Sequence, residues 1–275
     1  DYRSALVVLV AANVVNAVVE IVLVFGFELG VAGAAWSTVV AQVGAGAALW
    51  WRARPHVLAR TTRRPMWSEM GPLISAGRHL LLRVTAMLVV FTGATSLAAR
   101  VDDATLAAHS IATTMFLFLA LTLDALAVPA QTLVAEELGR GGPGAALVSQ
   151  RAVRMSVRIG VTLGVVVALA SPLIARVFTT EDDVISRAVV ALVLLGAVLV
   201  PGSVAFATDG SLIGAGDYRF LGRAALGYLL AVVPIAAAVV LSPGLGIGGI
   251  WVGLLVWMTL RAVVNSRRAA SILPS

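Results

Sequence analysis

The sequence predicts an all-α polytopic membrane protein, and three features carry that prediction. Apolar residues fill 60% of the 275 positions and charged residues only 12%, against roughly 45–50% and about 25% in soluble globular chains. The apolar residues gather into eight runs, most of them close to the about 20 residues a helix needs to cross a bilayer. The arginines collect in every second connection between those runs, which is the asymmetry of the positive-inside rule.

The first run, 5–25, carries Asn13, Asn16 and Glu20, one helical turn apart and so on one face. The second, 31–51, carries Gln42. A polar stretch from Arg52 to Gly77 follows, broken by Pro55, Pro65 and Pro72. It reads as a linker with room for a short interfacial helix at Met66–Met70. The remaining runs are 80–99, 106–134, 157–174, 185–207, 224–241 and 247–264. Valine and glycine are abundant, but runs this long without period-two alternation point to lipid-embedded helices rather than strands.

With the first residue placed in the cytoplasm, the inner segments hold Arg3, Arg52, Arg54, Arg60, Arg63, Arg64, Arg140, Arg151, Arg154, Arg158, Arg219, Arg223, Arg261, Arg267 and Arg268. The outer segments hold Arg100, Arg176 and Arg187 beside Asp102, Asp103, Glu181, Asp182 and Asp183. The expected placement is multi-pass in the plasma (inner) membrane with both ends of the chain cytoplasmic.

An internal repeat is visible. Asp217-Tyr218-Arg219 stands 216 positions after Asp1-Tyr2-Arg3, and Leu245-Gly246-Ile247-Gly248-Gly249 stands 216 positions after Leu29-Gly30-Val31-Ala32-Gly33. Two matches in one register indicate duplication. Both copies of the tripeptide begin on the same predicted side, so the copies are parallel. Residues 1–54 then supply the last two helices of one lobe, 55–77 a linker, 78–265 a six-helix lobe and 266–275 a tail. The expectation is that about four spans, on the order of 150 residues, precede Asp1 in a protein of about twelve spans.

Intramembrane acids are costly and usually serve ions, which makes three residues candidates. Glu20 shares a face with Asn13 and Asn16, and the positions 216 later are Leu229, Val232 and Ala236, all apolar. The fold itself therefore does not require polarity there, although an interhelical hydrogen-bond patch would also account for it. Asp124 precedes the helix-kinking Pro129 by five residues; it reads either as an ion site or as a salt-bridge partner for Arg78 or Arg83. Asp209 reads as a functional acid or as a cap at the end of its span. Gln42 and Gln131 are mid-helix groups that could meet a substrate or a neighbouring helix. Arg83, with Arg78, reads as a snorkelling interfacial residue, and His109 as a hydrogen-bonding residue at a helix start.

Other chemistries find little support. Without cysteine there are no disulfides, thiolate metal sites or cysteine nucleophiles. Gly139-Arg140-Gly141-Gly142 lacks the spacing and lysine of a P-loop, and no paired-histidine metal motif or nucleophile elbow occurs. The basic clusters flank apolar runs without interleaved aromatics, so nucleic acid is not an expected partner.

Asn13-x-x-Asn16-x-x-x-Glu20 followed by Phe25-Gly26-x-x-x-Gly30-Val31-Ala32-Gly33-Ala34-Ala35 resembles the fifth span of the multidrug and toxic compound extrusion (MATE) family, in its DinF-type branch. Leu82-Arg83-Val84-Thr85, Ala107-Ala108-His109-Ser110-Ile111, Leu123-Asp124-Ala125-Leu126-Ala127 with Ala130-Gln131-x-Leu133-Val134, and Asp209-Gly210-x-Leu212-Ile213-Gly214-Ala215-Gly216-Asp217-Tyr218-Arg219 resemble the seventh, eighth and tenth spans. The resemblance implies a two-lobe helical bundle with about eight of twelve transmembrane helices present. It implies a monomeric antiporter, not an enzyme, that exports small organic compounds in exchange for protons or sodium and needs no cofactor or metal. Membrane lipids are its surroundings. Ser110 and Glu20 depart from the usual glutamine and aspartate. Arg83 stands near an acid of the sodium-coupled branch and argues against that sodium site. The first-span aspartate of the DinF-type branch has no counterpart, so the chain is expected to be an inactive fragment. A lipid-linked-saccharide flippase of the same superfamily, using Arg78 and Arg83, is the sister reading. An integral-membrane enzyme is the reading from another class.

Overall fold

The computed structural model describes residues 2–58 and 67–273. Among them lie α1 (Tyr2–Ile21), α2 (Gly30–Leu58), α3 (Trp67–Val101), α4 (Asp103–Gly139), α5 (Ala145–Phe178), α6 (Asp182–Gly214), α7 (Tyr218–Leu241) and α8 (Gly246–Ile272), and no strand. Eight helices are long and apolar enough to cross a membrane, and each predicted span falls on one of them. The first continues into a π-helical turn at Val22–Gly26. Asp1, Arg60, Arg63, Arg64, Pro65 and Met66 lie outside the described residues.

The helices outrun the apolar runs that announce them. α5 starts at Ala145, twelve residues before its apolar run, and takes in Arg151, Arg154 and Arg158. Arginine is a good helix former, so polarity ended the predicted span but not the backbone ladder. Residues 67–77 likewise form the first turns of α3.

The chain divides into two compact units, Asp1–Glu69 and Met70–Ser275. In the first, α1 and α2 form a hairpin. The π turn leads to Gly30, whose φ is +51°, a conformation that a Cβ penalises. At Gly33 a Cβ would stand 3.0 Å from the backbone of Leu23.

The α7–α8 hairpin of the second unit repeats both devices. Gly246 has φ +46°, and a Cβ on Gly249 would stand 3.0 Å from Val239 Cγ2. Positions 23, 30 and 33 map onto 239, 246 and 249 by the same 216-residue shift. The repeated letters thus encode one backbone solution: a left-handed glycine that reverses the chain, then a glycine that lets the helices close.

α6 forms the axis of the second unit and packs against α4, α5 and α8. Leu192, Leu195 and Leu199 are fully buried along it. At its crossing with α4, Gly210 and Gly214 sit directly on the backbone carbonyls of Ala127 and Gln131. The one-turn spacing of both pairs lets the backbones approach as small residues do in membrane bundles. This crossing presses Asp209 into the interior.

α3 is held by aromatic contacts. Phe91 stacks on Phe116 of α4 at 5.0 Å and meets Trp257 of α8 edge-on at 5.8 Å. α3 touches α7 where Gly222 lies against His79, a Cβ there being 2.9 Å from the His79 carbonyl oxygen. Further along, α3, α7 and α8 part around an apolar cavity of about 340 Å³.

At the far end of this unit Asp102 caps α4, accepting from the Thr105 N–H at 2.8 Å. Arg187 of α6 donates to the same carboxylate, to the Thr105 hydroxyl at 2.6 Å and to Asp183 at 3.2 Å. Foremost the Arg187 guanidinium, and then the Thr105 N–H, hold the Asp102 carboxyl down at about 2.

Candidate functional site

The site is built on α8. Trp257, Arg261 and Asn265 recur every fourth residue, so they share one face, and all three are buried. That face meets Asp209 of α6, itself 3% exposed. Arg261 Nη2 donates to Asp209 Oδ2 at 2.6 Å. Arg83 of α3 donates to the same oxygen. Asn265 Nδ2 donates to the other carboxylate oxygen at 2.5 Å, and its own Oδ1 accepts from the Tyr228 hydroxyl of α7 at 2.8 Å. The Arg261 guanidinium also lies over the Trp257 ring, 4.9 Å from its centroid, and 5.8 Å from that of Phe206.

Removing charges from water costs several kcal/mol per ion even after relaxation. The cluster offsets this with charge-assisted hydrogen bonds and a cation–π contact. Three helices, α3, α6 and α8, meet at one carboxylate, and α7 joins them through Asn265. Two guanidiniums face that one carboxylate, so the cluster carries an excess positive charge.

Asp124 supplies a second acid beside it. Its α4 position is exposed, and the charges of Arg83, Asp209 and Arg261 all act on it. Among the described residues it makes no ion pair. Gln131, half-buried, lies seven residues further along α4, on the same helical side.

Of the residues singled out from the sequence, the fold brings Arg83 and Asp209 into contact, with Asp124 in their electrostatic range. Asn13, Asn16, Glu20 and Gln42 belong to the first unit. Asn13 donates to the Leu9 carbonyl at 2.8 Å. Asn16 has a buried Oδ1 without a partner. Glu20 is half-buried and Gln42 exposed.

Several expectations are corrected. Asp209 does not cap or order a loop, because it lies within α6 and is fully engaged. Arg83 does not snorkel, because it turns inward to that carboxylate, and for the same reason it does not pair with Asp124. Arg261 is not a flanking charge of the last span but a buried residue of α8. Proximity to Arg267 and Arg268 disguised it in the sequence. Its four-residue spacing to Trp257 and Asn265 was the available signal for it and for Asn265; Tyr228 gave none. His109 is 1% exposed, with Nε2 3.3 Å from the hydroxyls of both Thr95 and Thr113. Among the described residues no three His, Cys, Asp or Glu side chains gather closely enough to hold a metal ion.

Comparison with known proteins agrees with this architecture. The MatE family model matches residues 80–238, more than half of the chain. Protein DETOXIFICATION 44, chloroplastic, of Arabidopsis thaliana is 31% identical over 276 residues, covering 98% of this chain and 51% of that protein. DNA damage-inducible protein F of Escherichia coli (strain K12) is 26% identical over 271 residues, covering 95% and 58%. The chain spans about half the length of the curated relatives it matches. The crystal structure of a eukaryotic MATE transporter shares the fold with a TM-score of 0.84 at 20% identity, over 95% of this chain and 60% of that one. On the family match and the shared helical architecture together, the chain belongs to the MatE family, whose members are membrane transporters and not enzymes.

Proposed function

We propose that the complete protein is a secondary active antiporter that exports small, lipophilic organic compounds by alternating access, with the Asp209 cluster and Asp124 as the coupling centre of this portion. The observation that carries the reading is a buried carboxylate shared by two guanidiniums inside apolar helices, with a second, exposed carboxylate in electrostatic range. Ionised, Asp124 balances the excess positive charge; protonated, or neutralised by a bound organic cation, it does not. A proton and a cationic substrate then compete for one group, which is exchange in its simplest form. Either ligand biases the conformations only through its difference in affinity between them.

Protons are favoured over sodium as the coupling ion, since Asp209 is taken by Arg83, Arg261 and Asn265 and leaves Asp124 as a lone carboxylate, which takes a proton but does not by itself make the several-oxygen shell of a sodium site. The same engagement takes up Arg83, one of the two basic groups, with Arg78, on which a flippase reading rests. The resemblance to the DinF-type branch and the match to DNA damage-inducible protein F support placing the protein in that branch. The arginine asymmetry supports a plasma-membrane orientation with both ends of this chain cytoplasmic.

The test is transport by the full-length protein in proteoliposomes under an imposed proton gradient. Asp124→Asn should lower cation export about tenfold or more, while insertion and thermal stability are kept. Wild-type export by that variant would remove Asp124 from the coupling role.

A further inference from the structure

The arginine-rich end of the second unit holds a second, chemically different cavity. The first turns of α5 and the last turns of α8 part there around about 310 Å³. Ser149, Gln150 and Arg154 of α5 and Ser266 of α8 line it, with Thr208 of α6. The Thr208 hydroxyl is spent on the Val204 carbonyl at 2.7 Å. The other four side chains enter no hydrogen bond or ion pair among the described residues. Ser149 is nevertheless 5% exposed.

Buried polar groups are ordinarily satisfied. Here only Ser149 is buried, Ser266 is half-buried and Gln150 and Arg154 are exposed, and all four border one space without a protein partner among the described residues. No acid lines that space, and every one of the four side chains can donate. This is the chemistry that receives a phosphate, with the guanidinium fork supplying charge and geometry. The rest of the wall is apolar, including Val153, Ala269 and Leu273. Both helices cross the membrane, so the cavity lies where their ends reach headgroup depth.

We propose that this cleft is a headgroup site for one anionic phospholipid. Arg154, Ser149, Gln150 and Ser266 hold its phosphate, and an acyl chain runs along the apolar wall. The apolar wall selects a lipid over a soluble anion. The inference requires only that the helices sit in a membrane and is independent of the transport reading.

The full-length protein, stripped of lipid in a neutral detergent, would be titrated with dioleoylphosphatidylglycerol, dioleoylphosphatidylcholine and inorganic phosphate. Binding would be read by native mass spectrometry and by the unfolding temperature. Phosphatidylglycerol should bind and raise the unfolding temperature, and the other two should not. Arg154→Gln should weaken that binding about tenfold, the loss expected for one charge-assisted contact. Arg223→Gln removes the same charge at the same end of the bundle without touching the cavity, and should leave binding unchanged. Ser266→Leu keeps every charge and fills the space, so it should abolish binding; it decides the matter should Arg154→Gln fail to fold. Equal binding of phosphatidylcholine, equal loss in Arg223→Gln, or full affinity in Ser266→Leu would overturn the proposal. Stabilisation by inorganic phosphate alone would reassign the cleft to a soluble anion.

Discussion

Arg261 donates to Asp209 across 2.6 Å with 4% and 5% of the two side chains exposed, so an ionic contact lies where water does not reach. Such a pair is stable only as a complete set. Losing one partner leaves a charge with no solvent and no counterion.

Asp209→Ala should therefore lower stability by about 3–5 kcal/mol, the cost of breaking a buried pair. Tyr228→Phe removes a single neutral hydrogen bond and should cost about 1 kcal/mol. Chemical unfolding in detergent compares the two. Equal effects would mean that Asp209 is not the centre of the cluster.

The joint replacement Arg83→Met, Asp209→Leu, Arg261→Met should be more stable than Asp209→Ala, because apolar side chains of similar volume avoid the desolvation cost. Transport by the full-length protein should still be lost. Measuring both properties in one preparation separates the structural contribution of the cluster from its coupling role.

The repeated hairpins make a paired prediction. Gly30→Ala and Gly246→Ala place a Cβ on left-handed backbone and should each cost about 1 kcal/mol. Gly210→Val, which drives a side chain into the Ala127 carbonyl, should cost considerably more and separate α4 from α6. Unfolding midpoints of the three variants give the ranking.

The Asp102 clasp predicts a pH response. The folded pKa of about 2 lies below the ordinary value of about 3.9. Its contribution is therefore complete above about pH 4 and is lost as the pH falls toward 2. Wild type should lose stability over that window. Asp102→Asn should lose less there and be less stable at neutral pH. Acid titration of the unfolding temperature reads both.

Much of the architecture was legible because lipid imposes a simple rule on composition. Eight apolar runs could only be eight helices, and the glycine pairs at 30/246 and 33/249 marked real backbone constraints. The register also carries Arg52 onto Arg268, whose Nε donates to Asp217 at 2.7 Å. The aspartate of the repeated tripeptide thus has a partner on the next helix. The cluster was legible only as separate parts. Arg83 and Asp209 stand 126 residues apart, and no periodicity relates them. Arg261 was lost among flanking arginines because hydropathy registers its charge but not the direction its side chain takes.

The π-helical turn at Val22–Gly26 carries a surplus residue, since its hydrogen bonds span five residues where an α-helix spans four. At 3.6 residues per turn, absorbing that residue into regular winding would revolve everything before it by about 100°. Asn13, Asn16 and Glu20 would sweep together to a new azimuth while α2 stayed still. The extra residue thus fixes the direction in which the polar face of α1 points.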